Sequence, residues 1–282
     1  MRLRTVLKPQ RQTTEQICEQ YHVEKELASR LRGANREERG KLYSTLYDEL
    51  YERVPHHPQV KMKADPKARR RKVAAQMRCL SKFLSPEYSF LELGPGDCQL
   101  SFEVAKYVEK VYAIDVSERI TKNLKQPGNF QLILSGGQSV NVPPRSVNVA
   151  YSNAFIEHLH PDDTLEVLQG IYNALIPGGI YICFTPHRFA GPCDVSRYFD
   201  NVATGLHLKE YTNTELYRIL KSVGFSKVQS YPRIKGICVK FPIYVAIMVE
   251  YLINPLPHPV RRRIVMTPLL RNILAVRLIA TK

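Results

Sequence analysis

The sequence predicts an α/β chain built on a doubly wound, largely parallel sheet, and three observations carry that expectation. From Tyr88 onward, short runs rich in β-branched and aromatic residues alternate with helical runs, and the first such run ends in a glycine turn. The chain is also large enough, at 282 residues and 44% hydrophobic, to bury a core of that size. "YSFLEL", "KVYAID", "FQLILS", "VNVAYSN" and "GGIYICFTP" read as the first five strands, with "CQLSFEVAKYV", "SERITKNLK" and "DDTLEVLQGIYNALI" as helices between them. "TNTELYRILKSVG" reads as a further helix, opened by a Thr or Asn cap and closed by Gly224. "FSKVQSYPRI" then reads as a sixth strand and "NILAVRLIATK" as the last.

Ahead of this alternation, "TTEQICEQYHVEKELASRLR" and "NREERGKLYSTLYDELYERV" are charge-rich with apolar residues at helical spacing, and "VPHHPQ" separates them from a third helical run, "DPKARRRKVAAQMRCLSKFL". Leu42, Leu46 and Leu50 recur every four residues, as do Tyr43, Tyr47 and Tyr51. Such a stripe reads first as packing surface, and as a pocket lining only if the segment caps one. Before the last strand lies "KGICVKFPIYVAIMVEYLINPLPHPVRRRIVMTPLLR", whose apolar run is interrupted by Lys240 and Glu250, which argues against a membrane span. Followed by Arg261, Arg262 and Arg263, the run suits peripheral contact with an anionic membrane, and a helical lid or dimer surface suits it equally. The expected organisation is a basic helical extension or cap over 1–84, the sheet core over 85–234, a basic apolar insertion over 235–272 and the last core strand over 273–282.

The formal net charge of +15 sits on the two ends: +10 over residues 1–82, −2 over 83–234 and +7 over 235–282. Basic ends favour anionic partners in general, so nucleic acid stays open as a partner beside membrane surface and acidic glycan. The six cysteines form no CxxC pair and no ladder of short spacings, which points away from a zinc site or disulfide framework and toward a reducing, cytoplasmic setting. "MRLRTVLKPQRQ" lacks the apolar run of a signal peptide, and no apolar stretch of about 18 residues marks a spanning helix.

In "FLELGPGDCQLS" the first strand ends at Leu93 and a helix begins near Cys98, so Gly94-Pro95-Gly96 sits at the carboxyl edge of the sheet, where open α/β folds bind ligands. The third glycine of a dinucleotide fingerprint would fall at Gln99, which disfavours a nicotinamide dehydrogenase. Glu92 precedes the turn, and Asp115 ends the second strand nineteen residues after Gly96. That is about the interval at which a carboxylate accepts from both hydroxyls of an adenosyl ribose.

"LELGPGDCQLS", "VYAIDVSERI", "VNVAYSNAFIEHLH" and "LIPGGIYICFTP" together resemble the successive motifs of class I S-adenosylmethionine-dependent methyltransferases, in order and spacing, over residues 85 to 232. The resemblance implies a Rossmann-like sheet of seven strands in the order 3-2-1-4-5-7-6 with the last strand antiparallel. It also implies S-adenosyl-L-methionine as cofactor, with Glu92, Gly94, Gly96 and Asp115 binding it. Many relatives carry an acid after strand three that bonds the adenine amine; here "ILSGGQSVNVP" leaves Gln138 as the nearest polar side chain.

Methyl transfer from a sulfonium needs alignment of nucleophile, carbon and sulfur, and removal of a proton. Asn153, Glu157 and His158 end the fourth strand at the ligand edge, with Asn153 counted beside the cofactor; the resemblance makes His158 the first candidate for general base, with His207 second. A metal reading of His158, His160, Asp162 and Asp163 is set aside, because Pro161, Asp162 and Asp163 fit the first turn of a helix. The polar stretch after strand five brings His187, Arg188, Arg197 and Tyr198 forward as substrate contacts, either arginine being able to hold a carboxylate or phosphate. The expected activity is methyl transfer to an oxygen, less readily a nitrogen or carbon, of a small-molecule, saccharide or lipid-linked acceptor. Two alternatives stand beside it: an RNA methyltransferase, and a non-catalytic nucleic-acid- or membrane-binding protein that retains the fold.

Overall fold

The structure is a computed structural model that describes residues 12–117, 125–234 and 236–282. Its strands are β1 Ser89–Leu93, β2 Lys110–Asp115, β3 Phe130–Leu134, β4 Val147–Asn153, β5 Leu175–Thr185, β6 Lys227–Ser230, β7 Arg233–Ile234, β8 Ile237–Cys238 and β9 Val276–Thr281. Seven of them form one sheet in the order β3-β2-β1-β4-β5-β9-β6, while β7 and β8 pair separately as a hairpin. β1 to β5 run parallel, and β9 lies antiparallel between β5 and β6. This is the expected sheet, with β9 in the place of the family's seventh strand.

Period-two alternation sends the side chains of each central strand to opposite faces. Phe90, Val149, Tyr151, Ile182 and Ile279 enter a core with α4 (Pro66–Leu80) and α5 (Gln99–Val104). Leu91, Leu93, Ala150, Tyr181, Leu278 and Ala280 enter the opposite one, against α6 (Pro161–Ala174) and α7 (Asn213–Val223). Each fully buried aliphatic or aromatic side chain contributes about 1.5–3 kcal/mol relative to exposure. α6 starts as expected, with Pro161 in its first turn and His160 Nδ1 accepting from Asp162 N. α7 is closed by a capping box of Thr212 with Glu215 at one end and left-handed Gly224 at the other.

Boundaries differ from the sequence reading at three places. α6 stops at Ala174, because Leu175 and Ile176 already belong to β5, which crosses Pro177-Gly178-Gly179 with Gly178 at φ 78°. β6 stops at Ser230, short of Pro232, and Arg233–Ile234 turns into the hairpin instead. β9 begins only at Val276, since Asn272 and Ile273 close a helix. The helix read in "SERITKNLK" falls mostly on residues 118–124, outside the described ones.

Helices α1 (Thr14–Gly33) and α2 (Arg36–Arg53) each open with a capping box and pack together through Leu27, Leu31, Leu46 and Leu50. α2 is fixed across the carboxyl edge of the sheet by a buried ion pair, Arg39 Nη2 to Asp163 Oδ1 at 2.6 Å, at the first turn of α6. The short α3 (Pro58–Ala64) leads into α4. In the insertion, α8 (Ile243–Ile253) packs on α7, and α9 (His258–Val265) and α10 (Pro268–Ile273) complete a small cluster around Phe189 and Leu274. No helix among the described residues is long and apolar enough to cross a membrane.

One expectation is corrected. Cys79, at the end of α4, forms a disulfide with Cys238 in β8, closing 159 residues of sequence separation. Short-spacing rules carry no information about a pair that only the docking of the β7–β8 hairpin against α4 brings together. The bond removes the ground on which the reducing, cytoplasmic setting was expected, since disulfides form and persist chiefly in oxidising compartments.

Candidate active site

The glycine turn leaves β1 at the carboxyl edge, and both glycines adopt the left-handed region, at φ 63° for Gly94 and 62° for Gly96. A Cβ at Gly94 would lie 2.8 Å from the Phe155 ring, so the position is closed to side chains by space as well as by backbone. Asp115, at the end of β2, ties the turn down: its Oδ2 accepts from Gly96 N at 3.0 Å and its Oδ1 from Val116 N at 2.7 Å. A cavity opens beside this pair, lined by Gly94, Gly96, Asp115, Ser135, Phe155 and His158, and roofed by Tyr43, Tyr47 and Tyr51 of α2.

The tyrosine stripe of α2 is therefore the pocket lining that the sequence allowed but ranked second. Its approach also explains the glycines after β3: a Cβ at Gly137, whose φ is 79°, would lie 2.9 Å from the Tyr43 ring. Tyr43 hydroxyl accepts from His160 N at 2.6 Å and donates to Asp163 Oδ2 at 3.2 Å. Burial raises the pKa of all three tyrosines above the ordinary phenol value, so they present neutral hydroxyls.

Glu92 stands under the turn rather than in the cavity. It is buried, accepts from Ser101 Oγ at 2.6 Å, and desolvation raises its pKa to about 7. Gln138 is committed away from the cavity, its Nε2 donating to Arg36 O at 2.8 Å and Asp163 Oδ1 at 3.3 Å. The expectation that it meets adenine is thereby corrected: the residue serves the docking of α2. Asn153 is displaced as well, lining a neighbouring cavity with Phe184 and Thr185.

His158 and His207 do come together, with ring centroids 5.0 Å apart. His158 Nδ1 bonds to Leu206 O at 2.9 Å; a carbonyl only accepts, so Nδ1 carries the proton and Nε2 is the basic nitrogen. Burial lowers the His158 pKa, keeping the ring neutral near pH 7. For His207, burial pulls downward, but the 2.8 Å bond from Nδ1 to Glu210 and the charges of Glu157 and Asp194 outweigh it and raise the pKa. Glu157 is fully buried; its Oε2 accepts from Thr185 Oγ1 at 2.9 Å and its Oε1 has no partner among the described residues. One ligand-type atom from each of Glu157, His158 and His207 falls within 4.8 Å of the others, a grouping different from the His160 and Asp163 set weighed on the sequence.

His158 also lines a second cavity, with Glu24, His57, Asp194, Tyr198 and His207, so it stands where the two spaces meet. Of the expected substrate contacts, Tyr198 and Arg197 reach this second cavity. His187 is instead bonded to Glu250, Nε2 to Oε1 at 2.7 Å, and Arg188 pairs with Glu215 at 2.7 Å on the surface. Arg188 lines none of these cavities, whereas His187, though held by Glu250, lines a further cavity with Arg197.

Residues 91–183 match the family model described as a methyltransferase domain. No curated protein matches the chain. Among solved structures, it is similar to phosphoethanolamine N-methyltransferase 1 of Haemonchus contortus, in complex with phosphoethanolamine and S-adenosylhomocysteine: TM-score 0.55, 14% identity, covering 88% of this chain and 50% of that one. The chain thus spans half the length of that enzyme. It is similar too to a structure of the complex between the Haloferax volcanii Trm112 methyltransferase activator and a methyltransferase, at TM-score 0.53 and 13% identity, covering 78% of this chain and 96% of that one. Identities this low show the shared fold. The family match lies over the turn at Gly94 and Gly96 and the acid at Asp115, so residues 91–183 are similar to a methyltransferase domain and the chain shares the fold of these methyltransferases.

Proposed function

We propose that the chain moves a methyl group to an oxygen of a small-molecule, saccharide or lipid-linked acceptor, with His158 as general base. The observation that carries this reading is the position of His158: it lines both the cavity at the glycine turn and the adjoining one, and presents Nε2 as its basic nitrogen. The residues present fit the cofactor, since the turn excludes a Cβ at Gly94 and Asp115 offers a carboxylate beside it. Bound there, S-adenosylmethionine would supply a methyl group from a sulfonium, whose leaving group is a neutral thioether. Gly96 would leave the backbone open to it, Asp115 would accept from the ribose hydroxyls, and Tyr47 and Tyr51 would shield the cavity from water. His158 Nε2 takes the acceptor's proton, and the buried Glu157 charge steadies the imidazolium that results. His207, held by Glu210, stands beside it as a hydrogen-bond donor to the acceptor.

The test is transfer of labelled methyl to a panel of sugars, sugar phosphates, prenyl-diphosphate sugars and RNA. Turnover on a saccharide or lipid-linked acceptor, retained in excess EDTA and lowered about 10²–10⁴-fold in kcat by His158→Ala with cofactor affinity unchanged, is the expected result. Full turnover in His158→Ala contradicts the assignment of the base. Turnover on RNA alone moves the reading to an RNA methyltransferase, and loss of turnover in EDTA assigns a metal to Glu157, His158 and His207.

Peripheral membrane contact belongs to the same reading. α8 exposes Tyr244, Met248, Tyr251 and Leu252, with Tyr251 80% exposed, and Arg261, Arg262 and Arg263 follow on α9. Flotation with anionic liposomes is expected at low salt and not with neutral liposomes; recovery of all the protein in the soluble fraction contradicts the contact.

A further inference from the structure

A third cavity, meeting the cofactor cavity at Ala154 and the second cavity at Cys193 and Arg197, has a lining of one charge sign. Lys72, Arg197, Arg233, Arg262, Arg271 and Arg277 face it, brought there by α4, the 3-10 turn Val195–Tyr198, β7, α9, α10 and β9. No aspartate or glutamate lines it. None of the six cations makes an ion pair among the described residues. Two nitrogens in the set, Arg197 Nε and Arg277 Nη1, are buried without a hydrogen-bond partner.

Gathering guanidinium groups this way is unfavourable by itself. Arg277 lies half-withdrawn from water over the Phe184 ring, and burial together with the neighbouring Arg233 and Arg271 charges presses its pKa down. Folds hold like charges in a concave, partly desolvated space when an anion joins them, and planar guanidinium groups match the oxygens of a phosphoryl group in pairs. A single carboxylate would leave most of these donors unanswered, whereas a diphosphate offers several oxygens and enough charge.

We propose that this cavity binds the phosphoryl group of the acceptor, a diphosphate better than a monophosphate, with Arg197 and Arg277 as central ligands. The proposal rests on the methyl-transfer reading above and narrows its substrate class. An acceptor held by its diphosphate in this cavity extends past Ala154 toward the cofactor cavity and His158. The same chemistry is found in nucleoside diphosphate and in prenyl diphosphate compounds.

Calorimetric titration of the full chain with inorganic pyrophosphate tests the site without needing turnover. Saturable one-site binding is expected, weakened about 10-fold or more by Arg277→Gln and by the exposed Arg271→Gln, and unchanged by Arg263→Gln, which lies outside the cavity on the same basic helix as Arg262. Absence of binding overturns the proposal. So does equal weakening by Arg263→Gln, which marks a diffuse basic surface. Tighter binding of uridine diphosphate or of farnesyl diphosphate than of pyrophosphate supports the site and names the source. Titrating the same variants with S-adenosylmethionine separates the two readings: failure of the cofactor alone strikes the methyl-transfer reading, and failure of pyrophosphate alone strikes this one.

Discussion

Replacing Asp115 by Ala is expected to weaken S-adenosylmethionine binding about 100-fold, measured by calorimetry on the folded variant. Two hydrogen bonds from ribose hydroxyls to a carboxylate are worth about 1.5–3 kcal/mol each, and about 2.8 kcal/mol is a factor of 100. In this chain the substitution removes a further restraint, since Asp115 Oδ2 also accepts from Gly96 N and holds the turn against β2. Asp115→Asn keeps one oxygen to hold the turn or to meet the ribose, so it is expected to fall between wild type and Ala. Unchanged affinity in Asp115→Ala would remove Asp115 from the cofactor site.

The largest loss of stability is expected at Glu250. Its Oε1 accepts from His187 Nε2 at 2.7 Å, Asn213 N at 2.7 Å and Asn213 Nδ2 at 2.9 Å, and its Oε2 from Thr214 N at 2.9 Å and Thr214 Oγ1 at 2.6 Å. One side chain of α8 thus satisfies the first turn of α7 and fixes the insertion to the sheet domain. Burial alone would raise its pKa, but the bonds from His187 and Thr214 prevail and hold it at about 2, well below the usual carboxylate range. Glu250→Ala is expected to cost about 3–5 kcal/mol in denaturant unfolding at pH 7, as for removal of one partner from a buried pair. Because the folded pKa is the lower one, this contribution is fully present above about pH 4.5 and fades as pH falls toward 2. The wild type and Glu250→Ala stability curves should therefore converge over that window. A variant within 1 kcal/mol of wild type at pH 7 would show that the network is not structural.

The sheet was legible because its signals are local: "FLELGPG" and "VYAID" carry strand, turn and acid within a few residues, and Gly94, Gly96 and Asp115 do meet. Pairing of His158 with His207 was nameable as two candidates but not as a contact, since a separation of 49 positions closes only when the loop after β5 folds back over the sheet. Gln138 failed because the Arg36 carbonyl and Asp163 already hold its amide, and His187, held by Glu250, walls a further cavity instead. Polarity near the ligand edge shows that a side chain can serve a substrate, not whether Asp163, Glu250 or Glu215 has already taken it. The roof of tyrosines had a visible signal, the four-residue recurrence at 43, 47 and 51, but periodicity fixes which residues share a face and not what the face covers. The Cys79–Cys238 bond and the arginine-lined cavity had no short-range signal, because the first spans 159 positions and the second takes Arg197, Arg233, Arg262, Arg271 and Arg277 one each from separate elements.

Titration of the purified wild-type chain with S-adenosylmethionine, alongside NAD, bears most directly on the account. Saturable one-site binding of S-adenosylmethionine and none of NAD is the expected result. A demonstrably folded chain that binds no S-adenosylmethionine would contradict it and bring forward the reading of a binding protein that keeps the methyltransferase fold without its chemistry.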